Sequence, residues 1–315
     1  MDTPSEPPAA EAPAKARASR LGVAVAAAVA VLAVVETSVA LVAPSRAPKD
    51  ADWEAAAREL RAGFHAGDLI VAAPAWSDPI MRLHLGDLVP VELAARFDDV
   101  RFARVWELSQ RGAHAPEARG AVAFERSFGA LTLRRVERAA PTIAYDFQQR
   151  WTEARVVRAS GGRETPCPWA VDRFQCPDIG FNFVHLQTVE VDLTLHRGLL
   201  TQPVGGAEVV VEYAAVPLGR ELVIATGMHD VWARKAGDGA VELRVYLDDA
   251  AGPTGTAVVA PSAPVAAITT KNESGWLMTH IDTAARMGRA TRVRFVVTSQ
   301  APYQRQFVFA AEARQ

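Results

Sequence analysis

From Leu21 to Val35 the chain runs fifteen residues without a charge. After Glu36, Thr37 and Ser38 the apolar character resumes and holds to Ala43, where Pro44 ends it. Leu21–Ala43 is 23 residues, nineteen of them hydrophobic, and as a helix it spans ~35 Å, enough to cross a hydrocarbon core. Glu36 opposes that reading, because a carboxylate inside a membrane costs ~2.5–3.5 kcal/mol on insertion scales. It lies about two turns from the end of the run, where snorkelling, protonation or a partner lowers the cost. Two readings stay open: an uncleaved anchor, or a signal peptide cut after Ser38-Val39-Ala40 to release a secreted or periplasmic protein. The length of the run, and the twenty residues of mixed charge before it, favour the anchor. Lys15, Arg17 and Arg20 then hold the N-terminus in the cytoplasm and leave residues 44–315 outside.

Charge separates differently from hydrophobicity. Residues 1–43 hold three of the 34 basic and four of the 36 acidic side chains, leaving 31 and 32 outside. The mean hydropathy of +0.04 therefore owes its sign to the anchor, whereas the near-neutral balance belongs to the outer region. A net charge of −2 excludes a nucleic-acid partner held by bulk charge. Residues 1–20, rich in Pro, Ala and Glu, read as a disordered tail. An Ala/Arg-rich composition with only four lysines is of bacterial type and places the anchor in an inner membrane. Cys167 and Cys176, nine positions apart, most simply form a disulfide in an oxidising compartment. No metal and no cofactor is expected, because no further His or Cys stands near them.

After a linker at residues 44–52, residues 53–140 read as a small α/β domain. Trp53, Ala56, Ala57, Leu60 and Phe64 recur at helical spacing, with Asp52 as the N-cap. Leu69–Ala73 reads as a fully buried strand, followed by a short helix carrying Met81, Leu83 and Leu85. Residues 104–109 form another strand, and residues 122–138 a hairpin around Phe128-Gly129. From residue 141 to 315 short β-branched runs recur between Gly and Pro signals: 188–195, 207–214, 220–227, 240–247, 276–281, 291–299 and 305–313. Val241, Leu243, Val245 and Leu247 alternate with Glu242, Arg244 and Tyr246, as in an antiparallel sandwich with one wet face. Ile143 to Ala159 supply a first strand or two.

Chemistry-bearing motifs are few. The sequence has no phosphate-binding loop, dinucleotide glycine motif, nucleophile elbow or His-Glu-x-x-His helix. The densest polar cluster is Asp78, Arg82, His84 and Asp87, just past the C-terminal end of the Leu69–Ala73 strand, where open α/β sheets admit ligands. Asp78 or Asp87 with His84 would serve as an acid–base pair. Alternatively Asp78 caps the next helix while Arg82 and Asp87 pair locally. Asp230, Trp232 and Arg234 offer a second surface, an aromatic face with polar neighbours suited to a sugar; the alternative there is a packed Trp232 and a turn closed by Asp230. Trp276, Met278 and His280 share one strand face. Asp248 and Asp249 before Gly252 are either calcium-binding or ordinary turn residues.

Residues 53–137, through HAGDLIVAAPAW and ARVWELS, resemble the soluble extracytoplasmic segment of membrane-embedded, protein-mannosyltransferase-like glycosyltransferases that use polyprenyl-phosphate sugars. That family keeps its catalytic carboxylates between its first membrane helices, so a chain with one span departs from it in its catalytic part. Residues 181–315, through PLGRELVIATGMHDVW, AVELRVYLDD and RVRFVVTSQAPYQRQFVFAAEA, resemble the galactose-binding-like jelly-roll β-sandwich of carbohydrate-binding modules. That fold also hosts lipid and protein binders. Together these features lead to a membrane-anchored, non-catalytic extracytoplasmic protein that binds a glycan or another envelope ligand, as an accessory to sugar transfer. The alternatives are a hydrolase or transferase at Asp78, His84 and Asp87, and a protein–protein module of an envelope complex.

Overall fold

The computed structural model describes residues 14–42, 47–233, 239–249, 263–301 and 305–315. Helix α1 (Ala14–Val42) carries the apolar run, and its segment Gly22–Leu41 is long and apolar enough to cross a membrane. None of that segment is buried against the rest of the chain, so no part of the folded body supplies it with a core. The helix begins at Ala14, inside the stretch expected to be a disordered tail.

Helix α2 (Asp50–Gly63) buries Trp53, Ala56, Ala57 and Leu60, the face set by their spacing. Its N-cap is Lys49 rather than Asp52: Asp52 stands inside the first turn and accepts the Lys49 backbone N–H at 2.9 Å. All five residues of β1 (Leu69–Ala73) are buried. It pairs in parallel with β2 (Arg104–Gln110), from Leu69 opposite Val105 to Ala73 opposite Ser109. The hairpin of β3 (Ala121–Phe128) and β4 (Leu131–Glu137) completes a mixed sheet in the order β1-β2-β4-β3. Between β1 and β2 lie α3 (Asp78–Leu85) and α4 (Val91–Ala94). The three apolar residues expected on α3 lie on different sides of it. Met81 and Leu85, four apart, are fully buried, whereas Leu83 is 81% exposed, because a two-residue step carries it to the opposite side of the helix.

The rest of the chain is an antiparallel β-sandwich. One sheet runs β16 (Leu277–Asp282), β13 (Glu221–Met228), β18 (Phe307–Arg314), β11 (Thr194–Thr201), β10 (Phe183–Val191), β9 (Arg173–Gln175) and β8 (Trp169–Ala170). Strand β5 (Ile143–Asp146) joins it on β18. The other sheet runs β15 (Ala266–Thr270), β14 (Val241–Asp249), β17 (Ala290–Ser299), β12 (Glu208–Pro217), β6 (Arg155–Ser160) and β7 (Arg163–Pro166). The alternation in β14 is as its sequence requires, with Val241, Leu243, Val245 and Leu247 buried. Phe147, Tyr213, Phe295, Phe307 and Phe309 fill the space between the sheets. Cys167 and Cys176 are disulfide-bonded and close the β8–β9 hairpin.

Residues 188–195, expected as one strand, form a hairpin instead. The chain turns at Asp192 and Leu193, with φ of 50° and 62°. These left-handed conformations match the twist of the flanking strands and are normally supplied by Gly or Asn.

The first sheet is covered on both faces. Strand β18 is buried at every position, and its alternate residues Val308, Ala310, Glu312 and Arg314 lie opposite the sandwich core. Phe97, from the loop before β2, packs on that outer face against Val223, Ala225 and Ala310. Beside it Arg101 pairs with Glu312 at 2.8 Å, and Arg314 pairs with both Asp98 at 2.9 Å and Glu312 at 2.8 Å. The α/β layer and the sandwich therefore share a seam of apolar contacts and buried ion pairs. Gly227 admits Trp276 to that seam, since a Cβ there would stand 2.8 Å from Val191 and 3.0 Å from the Trp276 ring.

Candidate functional site

A cleft of about 490 Å³ opens at the C-terminal ends of β1 and β2. Its floor is apolar, from Val71, Ala73, Val89 and Leu93, and Leu193, Thr194 and Leu195 of the β10–β11 turn form the wall contributed by the sandwich. Charge enters in matched pairs. Asp78 and Arg82, one helical turn apart on α3, join at 2.6 Å, and Arg96 joins Glu117 at 2.5 Å. Beneath them Glu107 is fully buried, meeting Arg134 Nε at 3.0 Å and His114 Nδ1 at 3.2 Å. Its other oxygen accepts the Ala115 backbone N–H at 2.6 Å. A buried carboxylate is tolerable only with such partners. These partners also fix the loop that presents His114 and Glu117 to the cleft.

Behind the sandwich wall, His196 of β11 lies flat on Trp276, with ring centroids 4.3 Å apart. The Trp276 indole N–H donates to the Phe97 carbonyl at 3.0 Å. Burial holds the His196 pKa down at about 4; a hydrogen bond to the Arg96 backbone opposes that shift and the Arg96 charge adds to it.

The expected site residues are distributed among different roles. Asp78 and Arg82 line the cleft. His84 does not meet them there; its ring stacks on Trp53 at 6.1 Å. Asp87 pairs with Arg61 rather than with Arg82, through two 2.6 Å hydrogen bonds, and Arg61 holds its carboxyl below the ordinary range. The acid–base pair imagined for His84 is therefore not assembled, since each of its three members has a separate partner. Asp230, in the short helix α5 (Asp230–Ala233), accepts the backbone N–H groups of Asp192 and Leu193 at 2.8 and 2.9 Å. It acts as a strut for the β10–β11 turn. Trp232 belongs to the same helix, and Arg234 lies outside the described residues. Asp248 and Asp249 face Arg294 and Arg286 at 2.8 and 3.2 Å. His280 pairs with Glu221 at 2.7 Å, and His229 with Gln306 at 2.6 Å. Among the described residues no group of three or more His, Cys, Asp or Glu is placed to hold a metal ion.

Asp230→Ala is expected to lower stability by about 1–2 kcal/mol, the worth of two hydrogen bonds to a partly exposed carboxylate. Thermal unfolding of the full chain in detergent measures it. An unchanged midpoint would mean that the turn holds its left-handed residues unaided.

Arg96, Glu107, His114 and Glu117 were not singled out by sequence. Glu107 did leave a signal, a lone carboxylate in the middle of the buried strand RVWELS, where a charge is costly unless specifically paired.

No protein-family model matches this chain, and no curated protein sequence does. The resemblance of residues 53–137 to sugar transferases thus gains no support from either. Among solved structures, the chain is similar to the CBM51-2 and INT domains of ZmpB from Clostridium perfringens. In the complex with GlcNAc the TM-score is 0.33 and the identity 12%, covering 66% of this chain and 40% of that one. A second structure of the same domains gives 0.31 and 13% over the same shares. Xylanase10C from Cellvibrio japonicus in complex with xylopentaose gives 0.23 and 8%, covering 51% of this chain and 27% of that one. This chain thus spans well under half the length of each of these matched chains.

Proposed function

We propose that this chain is a single-pass, membrane-anchored extracytoplasmic binding protein whose body takes a hydroxyl-rich envelope ligand, a glycan, in the cleft between the α/β layer and the sandwich. One observation carries the reading: the cleft joins an apolar floor to the matched pairs Asp78–Arg82 and Arg96–Glu117. Sugars present apolar C–H faces and hydroxyls that both donate and accept. A rim of neutralised ion pairs offers donors and acceptors together without demanding a charged ligand. On this reading α1 is retained as the anchor. Residues 53–140 and 141–315 form two units that contribute one wall each, and Asp230 acts on binding by positioning the turn that carries Leu193.

The test is a glycan array probed with the full chain in detergent, followed by titration of the best ligand. Arg96→Ala and Arg82→Ala are expected to weaken binding at least ~10-fold each, as for loss of a charge-assisted hydrogen bond. Failure to bind any glycan, together with pull-down of a membrane protein through the same body, would replace this reading with the interaction-module one.

A specific observation favours an enzyme as the second reading: buried Glu107 orients His114 Nδ1 at 3.2 Å on the cleft wall. A carboxylate that orients a His is a general-base arrangement. Hydrolysis of a bound glycan that vanishes in His114→Ala would establish it.

A further inference from the structure

The 3-10 turn Ala75–Ser77 and α3 together carry a largely apolar exposed surface beside the partly exposed pair Asp78–Arg82. From Ala75 to Leu83 the exposed residues are Ala75, Trp76, Pro79, Ile80 and Leu83. Trp76 is 58% exposed, Ile80 42% and Leu83 81%. Ile80 and Leu83, three apart, lie on one side of α3, and Trp76 stands in the 3-10 turn that leads into it. The opposite side already satisfies the core through Met81 and Leu85. Three large apolar side chains kept together in water, on a turn and helix with no packing need for them, mark a surface that is covered by something.

The tether indicates what covers it. The apolar segment of α1 ends at Leu41 and α2 begins at Asp50; nine steps of extended chain reach at most about 30 Å. Trp53, in the first turn of α2, carries the ring of His84, the neighbour of Leu83. The apolar face is therefore built onto the tethered end of the body. A bilayer holding α1 is present at high effective concentration there, so even weak attraction becomes intramolecular docking. The chemistry of the face also suits that partner. An exposed Trp with Ile and Leu matches the headgroup–acyl boundary, and Arg111 lies 5.7 Å over the Trp76 ring, a cation at the height of phosphate groups.

We infer that Trp76, Ile80 and Leu83 dock on the surface of the bilayer in which α1 is inserted. The inference rests on the reading of α1 as a membrane span. Docking seats the body on the lipid surface through α3, the helix that also supplies Asp78 and Arg82 to the cleft. The cleft mouth is then held close to the membrane instead of free at the end of a tether.

The two native cysteines are joined to each other, which leaves single introduced cysteines available for nitroxide labels. The full chain is reconstituted in phosphatidylcholine vesicles containing phosphatidylglycerol, with labels at Leu83→Cys, Ile80→Cys, Val31→Cys in α1, and Val171→Cys. Val171, at the β8–β9 hairpin tip, is 97% exposed. Collision with oxygen and with a water-soluble nickel chelate reads immersion. The labels at 83 and 80 are expected to show an oxygen-to-nickel ratio several-fold above that at 171 and approaching that at 31. A ratio at 83 and 80 equal to that at 171, with 31 still in hydrocarbon, overturns the docking and leaves the span intact. A water-like ratio at 31 overturns the span and the docking with it. Spin–spin broadening between labels at 83, persisting in detergent, would assign the face to a second copy of the chain and overturn the docking too.

Discussion

Arg314→Met is expected to lower the unfolding midpoint of the full chain by roughly 10 °C, corresponding to about 3–5 kcal/mol. Arg314 is 4% exposed and Glu312 fully buried, both on the outer face of β18 beneath Phe97 and Asp98. Removing the guanidinium leaves Glu312 to Arg101 alone, with Asp146 3.6 Å from the same Arg101. An uncompensated buried charge is among the most destabilising single changes known. Burial already raises the Glu312 pKa, while Arg101 and Arg314 oppose that shift. A carboxyl whose folded pKa lies above its unfolded value costs the fold nothing at low pH. It destabilises as pH rises from the ordinary carboxylate value through the folded one. With Arg314 gone the folded value climbs further, so the gap between variant and parent should widen from acid to neutral pH. Glu312→Gln in the Arg314→Met background should recover part of the loss, because the charge needing a partner is then absent. Fluorescence-detected unfolding across pH measures both. A gap of constant size, unaffected by Glu312→Gln, would show that Arg314 contributes only packing.

That network also shows what the sequence could and could not reveal. The apolar helix Gly22–Leu41, the buried strand Leu69–Ala73 and the alternating strand Val241–Asp249 were legible because each is a local pattern of period or composition. The disulfide was legible from two cysteines and their spacing. The β10–β11 turn was hidden. Asp192-Leu193 is not a turn signal by composition, and its left-handed residues are held by Asp230 from 38 positions away. The pairing of Glu312 and Arg314 was hidden for a similar reason. Nothing in the local pattern FVFAAEAR marks them as interior, and the covering loop at Phe97–Arg101 makes them so. Leu83 was legible as a residue of the helix, and its two-residue step from Met81 and Leu85 puts it on the exposed side. The cleft was half legible: Asp78 and Arg82 were on the page, whereas Arg96, His114 and Glu117 reach it from loops that carry no motif.

His196→Phe is expected to flatten the acid side of the stability profile. In the folded chain His196 lies on Trp276 beside Arg96, and burial holds its pKa at about 4 against an ordinary 6.5. A group whose folded pKa is depressed contributes stability that is fully present above its unfolded pKa. That contribution is lost as pH falls through the folded one, so the window here runs from 6.5 down to about 4. The loss is on the order of 2 kcal/mol after allowance for solvent at the ring edge. Phenylalanine keeps the stack on Trp276 and has no proton to bind. Near neutral pH its midpoint should sit slightly below the parent's, for want of the hydrogen bond to the Arg96 backbone, and relative to the parent it should gain roughly 5 °C toward the acid end of that window. The carboxylates titrate in both proteins and cancel in the difference. The same proton bears on the cleft, because His196 follows Thr194 and Leu195 of the wall directly and an imidazolium there repels Arg96 of the rim. Ligand held in the cleft should therefore be released more readily at acid pH by the parent than by His196→Phe. Parallel unfolding profiles for the two proteins would show that the ring is already screened by water and that neither effect exists.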